Sequence, residues 1–307
     1  MQGKWRRWLW LAAAWVCAGA CAQEGGGDAI DPAHEAWRQA LAARAEQLAT
    51  GGDARDQAVA ALLAATSGTQ SRQVDARLSA AWARAPHDPL VARLVLRVCG
   101  AGCDTTAAAE TLVADDPGNA ANHLQAWQLA QARGDQAAAR RHFDAAAAAG
   151  RYDPGYLDVG RLLRARLDGV PGWTPLQRDR TATLLMEVGL PPLVELDRGC
   201  RQSPALRGDC RAILALMAAD GSSLLVPLLA TAVQQRLGGD AAAARRLRWL
   251  QQQAVPLLGR IEQDPPALAA YLDSYLDAGE VPAMQALLRT HGIADEPPGD
   301  WHPPERG

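Results

Sequence analysis

The sequence predicts an all-α protein: a right-handed stack of antiparallel helix hairpins, an α-solenoid with no β-sheet. Three observations carry this. From Asp31 to Gly292 apolar residues recur at spacings of three and four, and alternating β-branched runs are almost absent. Glycine–acid pairs recur at Gly52-Asp53, Gly134-Asp135, Gly239-Asp240 and Gly279-Glu280. At each, glycine can close one helix in the left-handed conformation and the acid can cap the next. Short links of this kind produce antiparallel hairpins, and a chain of hairpins is the signature of a solenoid.

Residues 1–22 read as a secretory signal: Lys4, Arg6 and Arg7 precede the apolar run Trp8 to Ala20, which meets small residues. That run is too short to span a bilayer, which takes about 20 residues, and no later stretch is long and uncharged enough to do so. Ala18-Gly19-Ala20 and Ala20-Cys21-Ala22 both suit signal peptidase I. Ala18-Gly19-Ala20-Cys21 also resembles a lipobox, which implies lipidation of Cys21, although the family's leucine is replaced by Ala18. Arg6-Arg7 leaves a twin-arginine reading open as well. Residues 23–30, with Gly25-Gly26-Gly27, read as a flexible linker. Loss of residues 1–22 takes the net charge from −3 to −6. Lys4 is the only lysine, and the arginines are scattered among carboxylates rather than gathered in a stripe, which speaks against nucleic acid as a partner.

Residues 31–168 form the N-terminal helical region, opened by Asp31-Pro32, an acidic cap followed by a proline suited to a first turn. Cys99, Cys103, Cys200 and Cys210 are the mature cysteines, and an even number in an exported chain favours disulfides. Local pairing, Cys99 with Cys103 and Cys200 with Cys210, is preferred because each couple flanks turn-forming residues. In a helix, positions i and i+4 hold their Cβ atoms about 5–6 Å apart, whereas a disulfide wants about 3.5–4.5 Å. The first pair therefore needs a break, which Gly100 and Gly102 supply. Zinc ligation and redox activity are the less favoured readings.

Around Gly134 the chain resembles a tetratricopeptide repeat, most clearly over about residues 117–150. Pro117-Gly118-Asn119-Ala120 is similar to a junction between repeats, Gly134-Asp135 falls at the inter-helix turn, and Ala139-x3-Phe143 matches the small and aromatic positions of the second helix. The resemblance implies that Ala139 lets two helices approach and that Phe143 fills the gap to the next hairpin. Pro86-His87-Asp88-Pro89 resembles an earlier junction. The first-helix positions depart from the family, with His123, Ala126-Trp127 and Ala130, and the closing proline is displaced to Pro154.

Residues 169–175 are a glycine- and proline-rich linker, either a seam between subdomains or an inter-repeat loop. Residues 176–292 continue as helical hairpins, with a cap at Gly221-Ser222-Ser223 and a helix start at Asp264-Pro265. Residues 293–307 read as a disordered Pro-rich tail.

No catalytic constellation emerges. The histidines His34, His87, His123, His142, His291 and His302 never take a metal-ligating spacing on one helix. His123 and His142 face each other across the Gly134 hairpin at best, a weaker reading than solvated surface residues, so no metal and no cofactor is expected. Lytic transglycosylases also carry helical solenoids, but their general-acid Glu followed by Ser has no counterpart here. Glu195 and Asp197 read as solvated charges, and Trp37, Trp82, Trp127, Trp173 and Trp249 as packing anchors rather than a peptide groove. The expected function is a non-enzymatic scaffold for an unknown protein or peptide, in the periplasm or lipid-anchored at the outer membrane. The alternative is a cell-wall or glycan-acting envelope enzyme.

Overall fold

The computed structural model describes residues 31–187 and 193–303. The signal at 1–22, the linker at 23–30 and the lipidation candidate Cys21 lie outside the described residues. The chain divides into two compact units, residues 1–37 and 38–307. In the first, Asp31 accepts the Ala33 N–H at 2.9 Å at the start of a helix, and His34 stacks on Trp37 with ring centroids 5.6 Å apart.

The described residues form fifteen α-helices and one short 3-10 turn, with no strand. In chain order these are α1 (Pro32–Ala49), α2 (Ala54–Ser67), α3 (Ser71–Arg84), α4 (Pro89–Val98), α5 (Thr105–Asp115), α6 (Ala120–Ala132), α7 (Gln136–Ala148) and α8 (Tyr156–Leu167). They continue as α9 (Pro175–Met186), α10 (Leu193–Gln202), α11 (Arg207–Ala218), α12 (Leu225–Arg236), α13 (Ala242–Ile261), α14 (Pro265–Ala278) and α15 (Glu280–Thr290). No helix among the described residues is long and apolar enough to cross a membrane.

The helices begin where the sequence offers caps. Asp53, Asp88, Asp135 and Asp264 accept backbone N–H groups in the first turns of α2, α4, α7 and α14. Thr174 and Gln177 form a reciprocal capping box on α9. Gly134 takes φ +75° and closes the turn between α6 and α7.

Sequential neighbours pack as hairpins: α2 with α3, α4 with α5, α6 with α7, α8 with α9, α11 with α12, and α14 with α15. This is the pattern of a helical-repeat solenoid. Further contacts join elements far apart in sequence: α8 lies against α2, α7 against α11, and α14 against both α8 and α9. The stretch at 169–175 joins α8 to α9, which pack on each other within the second unit.

Two disulfides join the cysteines by the local pairing, with Cα–Cα distances of 6.1 Å for Cys99–Cys103 and 5.9 Å for Cys200–Cys210. Asp75, on α3, organises the first loop, accepting the N–H groups of Gly100 and Gly102 at 2.8 and 3.0 Å. The glycines therefore serve a close approach as well as a helix break, since a Cβ on Gly102 would stand 2.8 Å from that of Asp75.

The tail expected to be disordered is irregular but docked over residues 293–303. Arg245 donates to the carbonyls of Gly299 and Trp301, Trp249 donates its indole N–H to Ala294 O at 2.9 Å, and Trp301 meets Trp249 edge-on at 5.3 Å. One aromatic of the tail thus finds a half-buried partner on α13.

Candidate functional site

The clearest opening is a cleft of about 310 Å³ where the α7–α8 connection and α8 meet the turn after α11. Its wall includes Tyr152, Asp153, Asp158, Arg161, Asp220 and Ser222. Three carboxylates and one guanidinium line it; Arg161 is engaged by Asp158 at 3.2 Å and by the Asp277 carbonyl at 2.6 Å, and Asp153 is bridged by Arg151 at 3.0 Å.

Each wall is fixed by a specific device. Asn119, fully buried, donates through Nδ2 to the Asp153 carbonyl and accepts the Asp153 N–H, both at 2.9 Å. It also caps α6 through Ala121 N–H at 3.1 Å, so one amide sets a helix start and the position of Asp153. On the other wall the Ser222 hydroxyl and N–H both donate to Asp220 at 2.9 Å. Burial nevertheless dominates at Asp220 and pushes its carboxyl up to about 6.

Behind this wall lies a second group of carboxyls that does not line the cleft. The Tyr275 hydroxyl donates to Glu187 Oε1, and Glu280 Oε2 accepts the Leu224 N–H at 2.6 Å. Burial raises Glu187 above the ordinary carboxylate range. Burial first, and then the neighbouring Glu187 charge, lifts Glu280 to about 8. Near neutral pH Glu280 therefore holds a proton while its carbonyl oxygen still accepts from Leu224. Gly279 makes this geometry accessible: at φ +104° its missing Cβ leaves room for the Gly221 carbonyl, which accepts the Val281 N–H at 3.1 Å.

A third feature joins α4 to the start of α8. Arg97 of α4 is half-buried, donates to Met186 O at 2.9 Å and Pro154 O at 2.6 Å, and lies 4.8 Å over the Tyr156 ring. Burial lowers it to about 10, leaving it charged at neutral pH. The cavity beside it, about 30 Å³ with Arg93, Tyr152 and Tyr156 in its wall, has room for a water or two. The start of α8 thus packs over α4 through Tyr156 and the Pro154 carbonyl.

The residues singled out by sequence divide accordingly. Gly134, Asp135, Ala139 and Phe143 belong together in the α6–α7 hairpin. Asp135 accepts the Ala138 N–H at 2.9 Å, Ala139 and Phe143 are buried, and Phe143 packs at 5.6 Å against Trp127 of its own hairpin. Of the anchor tryptophans among the described residues, Trp127 is buried, and Trp37, Trp82, Trp173 and Trp249 are half-buried; none lines either cavity. Asp197 is bridged by Arg201 at 3.0 Å and Arg236 at 3.3 Å rather than left solvated. Ser222 and Ser223 are buried; Ser223 Oγ accepts the Leu225 N–H at 3.2 Å, while the N-cap position of α12 falls to Leu224. Asp75, Cys99 and Cys103 cluster closely enough to hold a metal ion, but the disulfide uses both sulfurs.

Sequence reasoning missed Asp153, Glu187, Asp220 and Tyr275, and read Glu280 as a cap of its own helix. A signal was present: Glu187 and Glu280 are single carboxylates set in apolar stretches, Leu184-Leu185-Met186-Glu187-Val188 and Glu280-Val281-Pro282-Ala283-Met284. Compared with protein-family models, curated proteins and solved structures, nothing matches this chain.

Proposed function

We propose that the protein is an exported scaffold of tetratricopeptide-like hairpins, without catalysis of its own, that binds a cationic segment of another protein or peptide. The observation that carries this is the open cleft lined by Asp153, Asp158 and Asp220, where Arg151 bridges Asp153 and Arg161 bridges Asp158 while Asp220 has Ser222 as its partner. Acidic walls on a fixed helical frame favour lysine, arginine or an amino terminus, and attraction of this kind weakens with salt. The reading places the ligand at the cleft. Export to the periplasm, or anchoring at the outer membrane through Cys21, belongs to the same proposal and is supported by the signal-like residues 1–22 and by the two disulfides.

The test is capture of envelope proteins by the immobilised full-length mature chain at low and high salt. Retention of a partner that elutes with salt, and is lost when Asp153, Asp158 and Asp220 are changed to Asn, supports the reading. Retention unaffected by those changes, or none at all, overturns it.

One observation favours the enzymatic alternative. Glu187 and Glu280 are interacting carboxyls, one poised to hold a proton near neutral pH, and perturbed carboxyls concentrate at catalytic sites. Incubation with purified cell wall separates the readings: hydrolysis abolished by Glu187→Gln and Glu280→Gln would replace the scaffold with an enzyme.

A further inference from the structure

His123, on α6, and His142, on α7, bring their imidazoles to a centroid separation of 5.9 Å across the Gly134 hairpin. His123 Nε2 lies 2.9 Å from the Pro117 carbonyl. A carbonyl oxygen can only accept, so Nε2 carries the hydrogen and Nδ1 is left with a bare lone pair. That Nδ1 is buried without a hydrogen-bond partner, on a residue only 6% exposed. A buried acceptor without a donor costs about 1–3 kcal/mol and asks for an explanation.

We propose that His123 Nδ1 and His142 together bind one divalent transition-metal ion of the imidazole-preferring class, Cu2+, Ni2+ or Zn2+. Three features of the geometry support it. The Nε2–H to carbonyl bond is the arrangement that fixes the tautomer and orientation of metal-ligating histidines. Two imidazoles bound to one ion at about 2.0–2.1 Å per nitrogen place their centroids roughly 5–6 Å apart, so the rings need little movement. His142 is half-buried, which leaves a route for the ion from solvent. No third His, Cys, Asp or Glu among the described residues lies close enough to join the pair, so water fills the remaining positions. The site stands apart from the acidic cleft and from the Cys99–Cys103 loop, so it does not depend on the proposed binding function.

The experiment uses the full mature chain with both disulfides intact, freed of metal and titrated separately with CuCl2, NiCl2 and ZnCl2. One equivalent should bind, raise Tm and, for Cu2+, broaden the ring signals of His123 and His142 ahead of those of His34, His87, His291 and His302. His142→Gln should weaken binding at least about tenfold with the apo Tm retained. Failure to bind any of the three ions overturns the site, as does broadening that begins at the other histidines. Unchanged affinity in His142→Gln overturns it too, because that variant leaves the Pro117 hydrogen bond and the fold in place.

Discussion

At the turn between α6 and α7, Gly134 supplies a left-handed residue and Asp135 caps the helix that follows, its carboxylate accepting the Ala138 N–H. At the turn between α14 and α15, Gly279 and Glu280 repeat the pattern in sequence but not in use. Gly279 has a positive φ of a different kind, its helix receives no side-chain cap, and the Glu280 carboxyl crosses to Leu224 at the head of α12. The first pair is solved locally, within a few residues. The second is solved by a loop about 56 residues away, since the carbonyls of Gly221 and Ser222 accept the first N–H groups of α15. A glycine–acid motif therefore fixes where a turn falls but not where its acid goes.

Substitutions separate the two turns. Gly279→Ala should have the largest effect, because a Cβ there overlaps the Gly221 carbonyl at a φ that L side chains rarely adopt. The expected loss is about 3 kcal/mol or more, read by urea denaturation. A near-neutral result would mean that the 221–222 loop is not seated on α15.

Glu280 should make stability depend on pH. Its folded value, about 8, lies above the ordinary 4.5, so the folded protein binds this proton more tightly than the unfolded chain. The stabilisation is complete below about pH 4.5 and is lost as pH rises through about 8, with Asp220 acting in the same sense up to about 6. After discounting for partial exposure, the Glu280 part is on the order of 2 kcal/mol. Tm should fall between pH 5 and 8.5, and Glu280→Gln, which keeps an acceptor for Leu224, should flatten that fall. Parallel curves for the two proteins would refute the shift.

The local turn should respond less. Gly134→Ala meets open space and bears only the cost of a left-handed alanine, about 1–2 kcal/mol. Asp135→Ala removes one cap, about 1 kcal/mol, and should leave the pH profile of Tm unchanged. If either matched the loss in Gly279→Ala, the distinction between local and long-range turns would fail.

The same distinction decides what could be read from the chain. Helix starts at Asp53, Asp135 and Asp264 were legible because a cap and its target lie within three residues. Local disulfide pairing was legible because loop-forming residues surround each couple. The role of Asp75 was not, since nothing near it announces that it will hold the loop at Gly100 and Gly102, more than twenty residues on. The cleft was hidden for the same reason: Asp153 and Asp220 meet only after α7 and α11 have packed. The tail misled because proline content marks the absence of helix, which holds over 293–303, while its docking depends on Trp249 of a distant helix.

The position of α8 bears on how the protein tolerates editing. In an open array each unit leans on its neighbours alone, so a repeat can be removed and the ends rejoined. Here Arg97 of α4 is held by carbonyls at Pro154 and Met186, before α8 and at the end of α9. Excising the α4–α5 hairpin would therefore unseat elements more than fifty residues downstream. The described helices from α2 to α9 should melt in one transition and not repeat by repeat, and the hairpins are parts that cannot be traded singly.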